Sequence, residues 1–498
     1  MTETGAPAGW ELQAGRDDCR LGQKASESMQ AVAGVERKVG LQDQYEQTVN
    51  PQWARLLRLL GMDAEYRRCE GETLETADGQ QILDFLSGYC VYNTGHNHPA
   101  IVEALHRELD AKGPLMLQSH VSSPAAELAG RLLQMANRSR KGHLSKVYFS
   151  TSGAEGVETA IKFSRAHTGR SGLLAARGAF HGLTCGALAL MDAPFWREGF
   201  GELIPGVEFV DFGDLDQLEA ALNTRRFAAL ILEPIQGEAG IVLPPEGYLE
   251  RAQELCRRNG TVFVLDEVQT GLGRTGAMLA AHHWNLEPDM VVLAKALSGG
   301  LVPGGAVLMT EAIYESVYPS LRRAIVHTST FSENGLAMRA GLATLDVLEK
   351  ENLEQENLEP ENLAARAARL GEEFRQQLRE RLAGFEMVRE VRGMGLFSGI
   401  VFGAPQSLGL RLSYEAFTRV HPAMFGQMLV MRLYRKHGIL TQICGNAFQV
   451  LKAAPPLVVS EASLEHFVDA IHETMETIHS SRSFWTDALR LAARAVRI

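Results

Sequence analysis

Cysteine is scarce in this chain: six in 498 residues, Cys19, Cys69, Cys90, Cys185, Cys256 and Cys444, widely scattered. None forms a Cys-x-x-Cys pair or a zinc-ligand spacing, so a disulfide framework and a cysteine-based metal site are not expected, and no metal ligand set is assigned. The pattern is that of reduced thiols in a cytoplasmic protein. No run of eighteen apolar residues occurs, so no membrane span is expected. A continuous apolar stretch of signal-peptide type is also missing from the first thirty residues, since Glu3, Glu11, Arg16, Asp17, Asp18 and Arg20 interrupt Met1 to Arg20. Basic residues are outnumbered, 49 Lys+Arg against 60 Asp+Glu, for a net charge of −11. That balance speaks against a nucleic-acid or anionic-membrane surface.

What is present is ordinary globular material, 45% apolar and 22% charged. At ~150 residues per domain the length suggests two or three domains. Residues 1–45 show no sustained period and read as an N-terminal extension of uncertain order. Trp53 to Leu60 looks helical, and Thr73 to Leu86 places the turn Asp78-Gly79 between strand-like runs. From 96 to 340 helical stretches alternate with short β-rich runs: Lys146–Ser150, Gly172–Ala175, Ala228–Leu232, Thr261–Leu265 and Met290–Leu293. Such alternation predicts βα units on a mostly parallel sheet. A long helical region follows 340, then strand-like runs over 383–460, then helix from 462 to the end. The expected organisation is a large domain over 96–340 and a small domain from 46–95 with 341–498.

Inside the late helical region, Glu351-Asn352-Leu353 recurs as Glu356-Asn357-Leu358 and Glu361-Asn362-Leu363. A five-residue period cannot keep its leucines on one helix face, and Pro360 resists a helix interior. We read it as an exposed loop produced by local expansion. Deleting Glu351–Pro360 is therefore expected to be nearly neutral, because closure entropy rises slowly with loop length. Soluble yield and melting temperature check this; a collapse of either would show that the repeat packs against something.

The chemistry lies at the ends of the predicted strands. Tyr148-Phe149-Ser150-Thr151-Ser152-Gly153-Ala154-Glu155-Gly156 runs a strand through a small-residue turn into a helix. Unpaired N–H groups and the helix dipole favour an anion there, although a plain capped turn has the same signature. In Phe180-His181-Gly182 the aromatic could stack on a flat ring or sit in the core beside a structural histidine. Glu233 closes an apolar strand in Leu232-Glu233-Pro234-Ile235-Gln236-Gly237-Glu238, as a functional or merely solvated carboxylate. Val262-Phe263-Val264-Leu265 runs into Asp266-Glu267-Val268-Gln269-Thr270-Gly271, placing an acid at the carboxyl edge of the sheet, where α/β ligands bind. Met290-Val291-Val292-Leu293-Ala294 ends at Lys295. A lysine near a buried strand end is costly unless paired or neutralised. One that forms a Schiff base with pyridoxal 5'-phosphate (PLP) avoids that cost, and PLP also needs a carboxylate at its pyridinium nitrogen. Twenty-nine residues separate Asp266 from Lys295, room for one crossover helix between neighbouring parallel strands.

In this order the segments resemble the class III (ornithine/acetylornithine type) aminotransferases over roughly residues 70–460. Asp84-Phe85-Leu86-Ser87-Gly88-Tyr89, Gly95-His96-Asn97-His98-Pro99, Thr328-Ser329-Thr330-Phe331 and Ala454-Pro455-Pro456-Leu457 carry the likeness further. The resemblance implies the α/β, PLP-dependent transferase fold of type I: a large domain on a mainly parallel, seven-stranded-type sheet and a smaller α+β domain built from both chain ends. It implies that Ser152, Gly153 and Ala154 hold the phosphate, Phe180 stacks on the ring, Gln269 binds the ring hydroxyl, and Asp266 meets the ring nitrogen. Glu233 would belong to the same cofactor pocket, and Lys295 would carry the Schiff base. Thr330 would reach the phosphate of the neighbouring subunit, which implies a homodimer with shared sites. Tyr89, Glu238 and Lys452 match substrate-pocket positions.

The implied reaction moves an amino group between a primary amine or amino acid and a keto acid or aldehyde, Lys295 and Asp266 being the catalytic pair. A same-fold aminomutase, decarboxylase or racemase is the alternative, and a non-catalytic homologue a third reading. Two departures bear on the substrate. Leu183 stands where ornithine-type members have an arginine after Phe-His-Gly, and Lys452 replaces the arginine that binds a substrate carboxylate. A lysine offers a point charge rather than a planar fork. These changes favour a primary amine or aldehyde at the end of a larger molecule over an amine with a free α-carboxylate. Ser332-Glu333-Asn334 also stands where the family usually has two glycines and an asparagine.

Overall fold

The structure, a computed structural model, describes residues 41–117, 119–138, 143–350, 361–480 and 485. The near-repeat at 351–360, most of the 1–45 extension, and the chain after 480 apart from Trp485 lie outside the described residues. Of the described residues, those up to Leu59 make one compact unit and those from Leu60 onward another. In the first, the helix Leu41–Thr48 precedes a second helix at Pro51, where Asn50 Oδ1 accepts the Trp53 N–H at 3.0 Å as an N-cap.

The second unit is built on a seven-stranded sheet. The chain first makes three short strands, β1 (Tyr66–Glu70), β2 (Thr73–Thr76) and β3 (Gln81–Asp84), with Gly79 at φ 87° turning the β2–β3 hairpin. Then come β4 (Lys146–Ser150), β5 (Gly172–Ala176), β6 (Val207–Val210), β7 (Phe227–Leu232), β8 (Val262–Asp266), β9 (Met290–Leu293) and β10 (Gly305–Met309). Their order is β4-β10-β9-β8-β7-β5-β6. Pairing is parallel from β6 through β9, while β10 runs antiparallel to both neighbours. Every residue of Phe-Ala-Ala-Leu-Ile-Leu in β7 is buried, as a strand covered on both faces requires. The helix Gly153–Thr168 lies on this sheet, its Val157, Ala160, Ile161 and Phe163 in one core with Ala229, Ile231, Val264 and Val292. Gly156 permits that approach, because a Cβ there would meet Val292 Cγ1 at 2.7 Å.

All five strands expected between 146 and 293 are present within a residue or so. Two others were not anticipated: the edge strand β6 and the antiparallel β10. The expected α-helical crossover between β8 and β9 is replaced by turns and a short 3-10 helix, Ala280–Trp284. Its glycine-dense stretch explains this, with Leu272, Gly273 and Gly276 at φ of 56°, 88° and 92°. The strand-like reading of 383–460 also needs correction. β11 (Val388–Met394) and β12 (Phe397–Phe402) are followed by two helices, Leu408–Val420 and Met424–His437, before β13 (Ile439–Leu440), β14 (Gln442–Ile443) and β15 (Val450–Ala453). β13 pairs in parallel with β3, and β15 lies between β12 and β14. Ala454 N–H donates to Phe85 O at 2.8 Å, joining the end of β15 to the segment after β3. No helix among the described residues is long and apolar enough to cross a membrane.

Candidate active site

The parallel register sets Asp266, the last residue of β8, opposite Val292 of β9, three residues before Lys295. Acid and lysine thus leave adjacent strand ends at one edge of the sheet. They open onto a cavity of about 360 Å³, also lined by Ser152, Gly153, Ala154, Phe180, Glu233 and Gln269. The sequence-derived cofactor set is therefore brought together, except for Thr330, which is exposed and does not line the cavity. Lys295 itself has φ 45°. A non-glycine residue in that region costs roughly 1–2 kcal/mol, the kind of strain that clusters at functional sites.

Each wall of the cavity has a local cause. Ser152 is the N-cap of the helix Gly153–Thr168, its Oγ accepting the Glu155 N–H at 3.2 Å. Glu155 Oε2 in turn accepts from Thr151 N and Oγ1 at 2.7 and 2.6 Å, which fixes the turn while the first helical N–H groups point outward. A Cβ on Gly153 would lie 2.9 Å from Val268, so only glycine leaves this cradle open. Glu233 accepts the N–H of Phe180 at 2.9 Å and of Gly237 at 3.1 Å, holding the Phe180 loop to the end of β7. Burial pushes its carboxyl up to about 7.

Asp266 is 4% exposed. Its Oδ1 accepts the Val268 N–H at 3.1 Å, and its Oδ2 lies 2.8 Å from His181 Nδ1. Burial opposes charge on His181, but the Asp266 contact outweighs it and raises the imidazole above its ordinary value. His181 was a motif neighbour in the sequence with a structural role at most; folding makes it the partner of the key carboxylate. His181 Nε2 and Gln269 Nε2 are buried without a hydrogen-bond partner among the described residues. An amine on a strand end, an oriented carboxylate, an open helix N-terminus and buried donors left for a ligand fit PLP.

The three residues expected on the substrate side, Tyr89, Glu238 and Lys452, do not line this cavity. Lys452 is fully buried and pairs with Glu238 Oε1, while Glu238 Oε2 accepts the Gly445 N–H at 2.8 Å. Burial works against both charges, yet each holds the other ionised: Lys452 is shifted up and Glu238 down. Lys452 Nζ also lies 5.2 Å from the centroid of the Tyr89 ring. Beside the pair, Gly445 leaves room for Trp196, whose Nε1 donates to Asn446 Oδ1 at 2.8 Å and whose ring meets Phe180 edge-on at 5.4 Å. Neither Trp196 nor Asn446 was flagged by the sequence, because no local pattern links them. Leu183 is 57% exposed and does not line the cavity. Glu333 has φ 57°, which accounts for glycine being usual nearby, and Asn334 Oδ1 accepts the Ala337 N–H at 2.8 Å to start the next helix.

Comparison with known proteins agrees with this geometry. The family model for class-III aminotransferases matches residues 60–475. The aminotransferase PigE of a Serratia species is 36% identical over 459 residues, covering 86% of this chain and 52% of that protein. The acetylornithine aminotransferase of Mycolicibacterium smegmatis is 38% identical over 408 residues, covering 82% of this chain and 92% of that one. The chain thus spans about half the length of the Serratia relative. Among solved structures, the ornithine aminotransferase of Toxoplasma gondii ME49 is similar with a TM-score of 0.76 at 28% identity, covering 91% of this chain and 98% of that chain. With residues 60–475 matched and the Asp266–Lys295 cavity at the sheet edge, the chain belongs to the class-III aminotransferase family, whose members are PLP-dependent.

Proposed function

We propose that this chain is a transaminase that moves an amino group between a primary amine or amino acid and a keto acid or aldehyde. The observation that carries the reading is the convergence of Asp266 and Lys295, from neighbouring parallel strands, on one cavity. The N–H groups at Ser152, Gly153 and Ala154 would hold the phosphate of PLP, Phe180 would cover its ring, Gln269 would meet the ring hydroxyl, and Glu233 would brace the Phe180 loop. When bound, PLP supplies a reactive carbonyl and an electron sink. Asp266, oriented by His181, would set its carboxylate against the ring nitrogen of the cofactor. Lys295 Nζ would act as nucleophile, then take the proton from the amine-bearing carbon of the substrate and deliver it to the carbonyl-derived carbon of the cofactor, the shift that separates amino transfer from racemisation.

We further propose a homodimer with shared sites, Thr330 of each chain serving the phosphate site of the other. Leu321, Ile325 and Phe331, which flank Thr330, are 96%, 79% and 56% exposed in the single chain, an apolar surface that a second copy would cover. The Lys452–Glu238 pair presents a neutral wall rather than a free arginine fork, and Leu183 offers no charge. Both support an amine without a free α-carboxylate as donor. A screen of amine donors against aldehyde and keto-acid acceptors tests the whole reading. Ping-pong kinetics and a cofactor absorbance band are expected; a purified protein that transfers no amino group from any donor refutes it.

Lys452 either recognises the carboxylate of an acidic co-substrate, with Glu238 swung aside, or only shapes the pocket through its pair with Glu238. On the first reading Lys452→Ala is expected to raise KM for glutamate or 2-oxoglutarate. A charge-assisted contact is worth ~1.5–3 kcal/mol, so kcat/KM should fall about ten- to a hundredfold. The half-reaction with a carboxylate-free amine should change much less. Equal losses in the two half-reactions, measured separately, reject Lys452 as the selective anchor, because Glu238 left buried and unpaired would harm both alike.

A further inference from the structure

Ser87, Gly88, Tyr89 and Cys90 have φ of 50°, 57°, 61° and 70° in succession. L-residues enter this region singly, not in runs, so a left-handed turn with three side chains persists only if its surroundings impose it. Asp84 Oδ1 accepts the N–H groups of Leu86 and Ser87, each at 2.8 Å, and Asp84 Oδ2 lies 2.7 Å from His96 Nε2. Ser87 is fully buried, and its hydroxyl donates to Ala454 O at 2.7 Å. Ala454 follows Lys452 by two residues, so this bond, beside the Ala454 N–H to Phe85 O bond, ties the turn itself to the end of the strand that carries the lysine. Ser87 O then accepts the N–H groups of Val91 and Tyr92 at 2.7 and 3.1 Å, closing the turn. At one end Tyr89 is set 5.2 Å from Lys452 Nζ; at the other Val91 enters the wall of the cavity.

We propose that Ser87 is a positioning residue: its hydroxyl, acting with Asp84, latches the left-handed turn so that Tyr89 forms the substrate-side wall over the Lys452–Glu238 pair. The inference rests on the transaminase reading for Tyr89's contact with substrate, and on the hydrogen-bond geometry alone for the latch. The wall it builds is an aromatic ring over a neutralised ion pair, suited to the uncharged carbon chain of an amine.

Ser87→Ala, Tyr89→Ala and the double variant of the holoenzyme are to be compared with n-butylamine as donor and 2-oxoglutarate as acceptor. Ser87→Ala should raise KM for n-butylamine about tenfold with kcat within about threefold, and the double variant should be no worse than Tyr89→Ala alone. Multiplying losses in the double variant would overturn the proposal, since Ser87 would then not act through Tyr89. Hydrogen exchange on the cofactor-free protein gives a readout independent of turnover. The Val91 and Tyr92 amides should exchange at least about tenfold faster in Ser87→Ala and near the wild-type rate in Tyr89→Ala; unchanged exchange in Ser87→Ala would overturn the latch. Ser87→Gly removes the same hydroxyl and relieves the backbone strain, so it takes the place of the alanine variant if that one is insoluble. A wild-type protein inactive towards n-butylamine and every other donor counts against the transaminase reading, and the exchange measurement still decides the latch.

Discussion

Lys295→Ala is expected to abolish turnover while leaving the fold intact, with kcat down at least about 10⁴-fold. One side chain carries two tasks, attack as a nucleophile and proton transfer, and general acid–base help alone contributes typically 10²–10⁴-fold. Among the described residues no other lysine lines the cavity to replace it. The fold should survive because Lys295 is only partly buried and sits beyond the end of β9, outside the strand pairing. Alanine also keeps a Cβ at φ 45°, so the backbone strain is unchanged. Purified Lys295→Ala with an unchanged melting temperature and no detectable amino transfer is the expected result; near-wild-type activity would sink the assignment.

Asp266→Asn should weaken cofactor binding and lower kcat by roughly 10²-fold or more, which is ~2.7 kcal/mol of barrier. An amide carries no charge to keep a ring nitrogen protonated, so electrons leaving the substrate carbon lose their sink. The structure adds a second loss. His181 is raised by Asp266 at 2.8 Å, and with an amide there burial would push the imidazole back down. Cofactor affinity, visible spectrum and kcat should therefore shift together. Full kcat with an unaltered spectrum would show that the pairing is wrong.

Both predictions use residues that can be read from the chain by eye. Strands buried on both faces announce themselves as apolar runs, and Asp266 and Lys295 are conspicuous because each ends such a run in β8 and β9. The Ser152 turn is legible for a similar local reason, small residues between a strand and a helix start. Local pattern fails where pairing defines the element. β6 is a four-residue edge strand with one fully buried position, and β10 is recognised only by its two antiparallel partners. The helices over Leu408–Val420 and Met424–His437 bury apolar residues at helical spacing, but short apolar runs there also fit strands.

By itself the sequence determined the βα rhythm, the order of chemical segments along the chain, and which carboxylate and which lysine stand at strand ends, because apolar periodicity and turn chemistry act over a few residues. Only the tertiary structure decided who meets whom. His181 reaches Asp266 across 85 residues, Lys452 reaches Glu238 across 214, and Ser87 reaches Ala454 across 367. Such contacts depend on strand order and on the parallel register of β8 with β9 and of β3 with β13. No window of sequence contains that information, because it arises when distant segments bury one another's surfaces and their polar groups must find partners away from water.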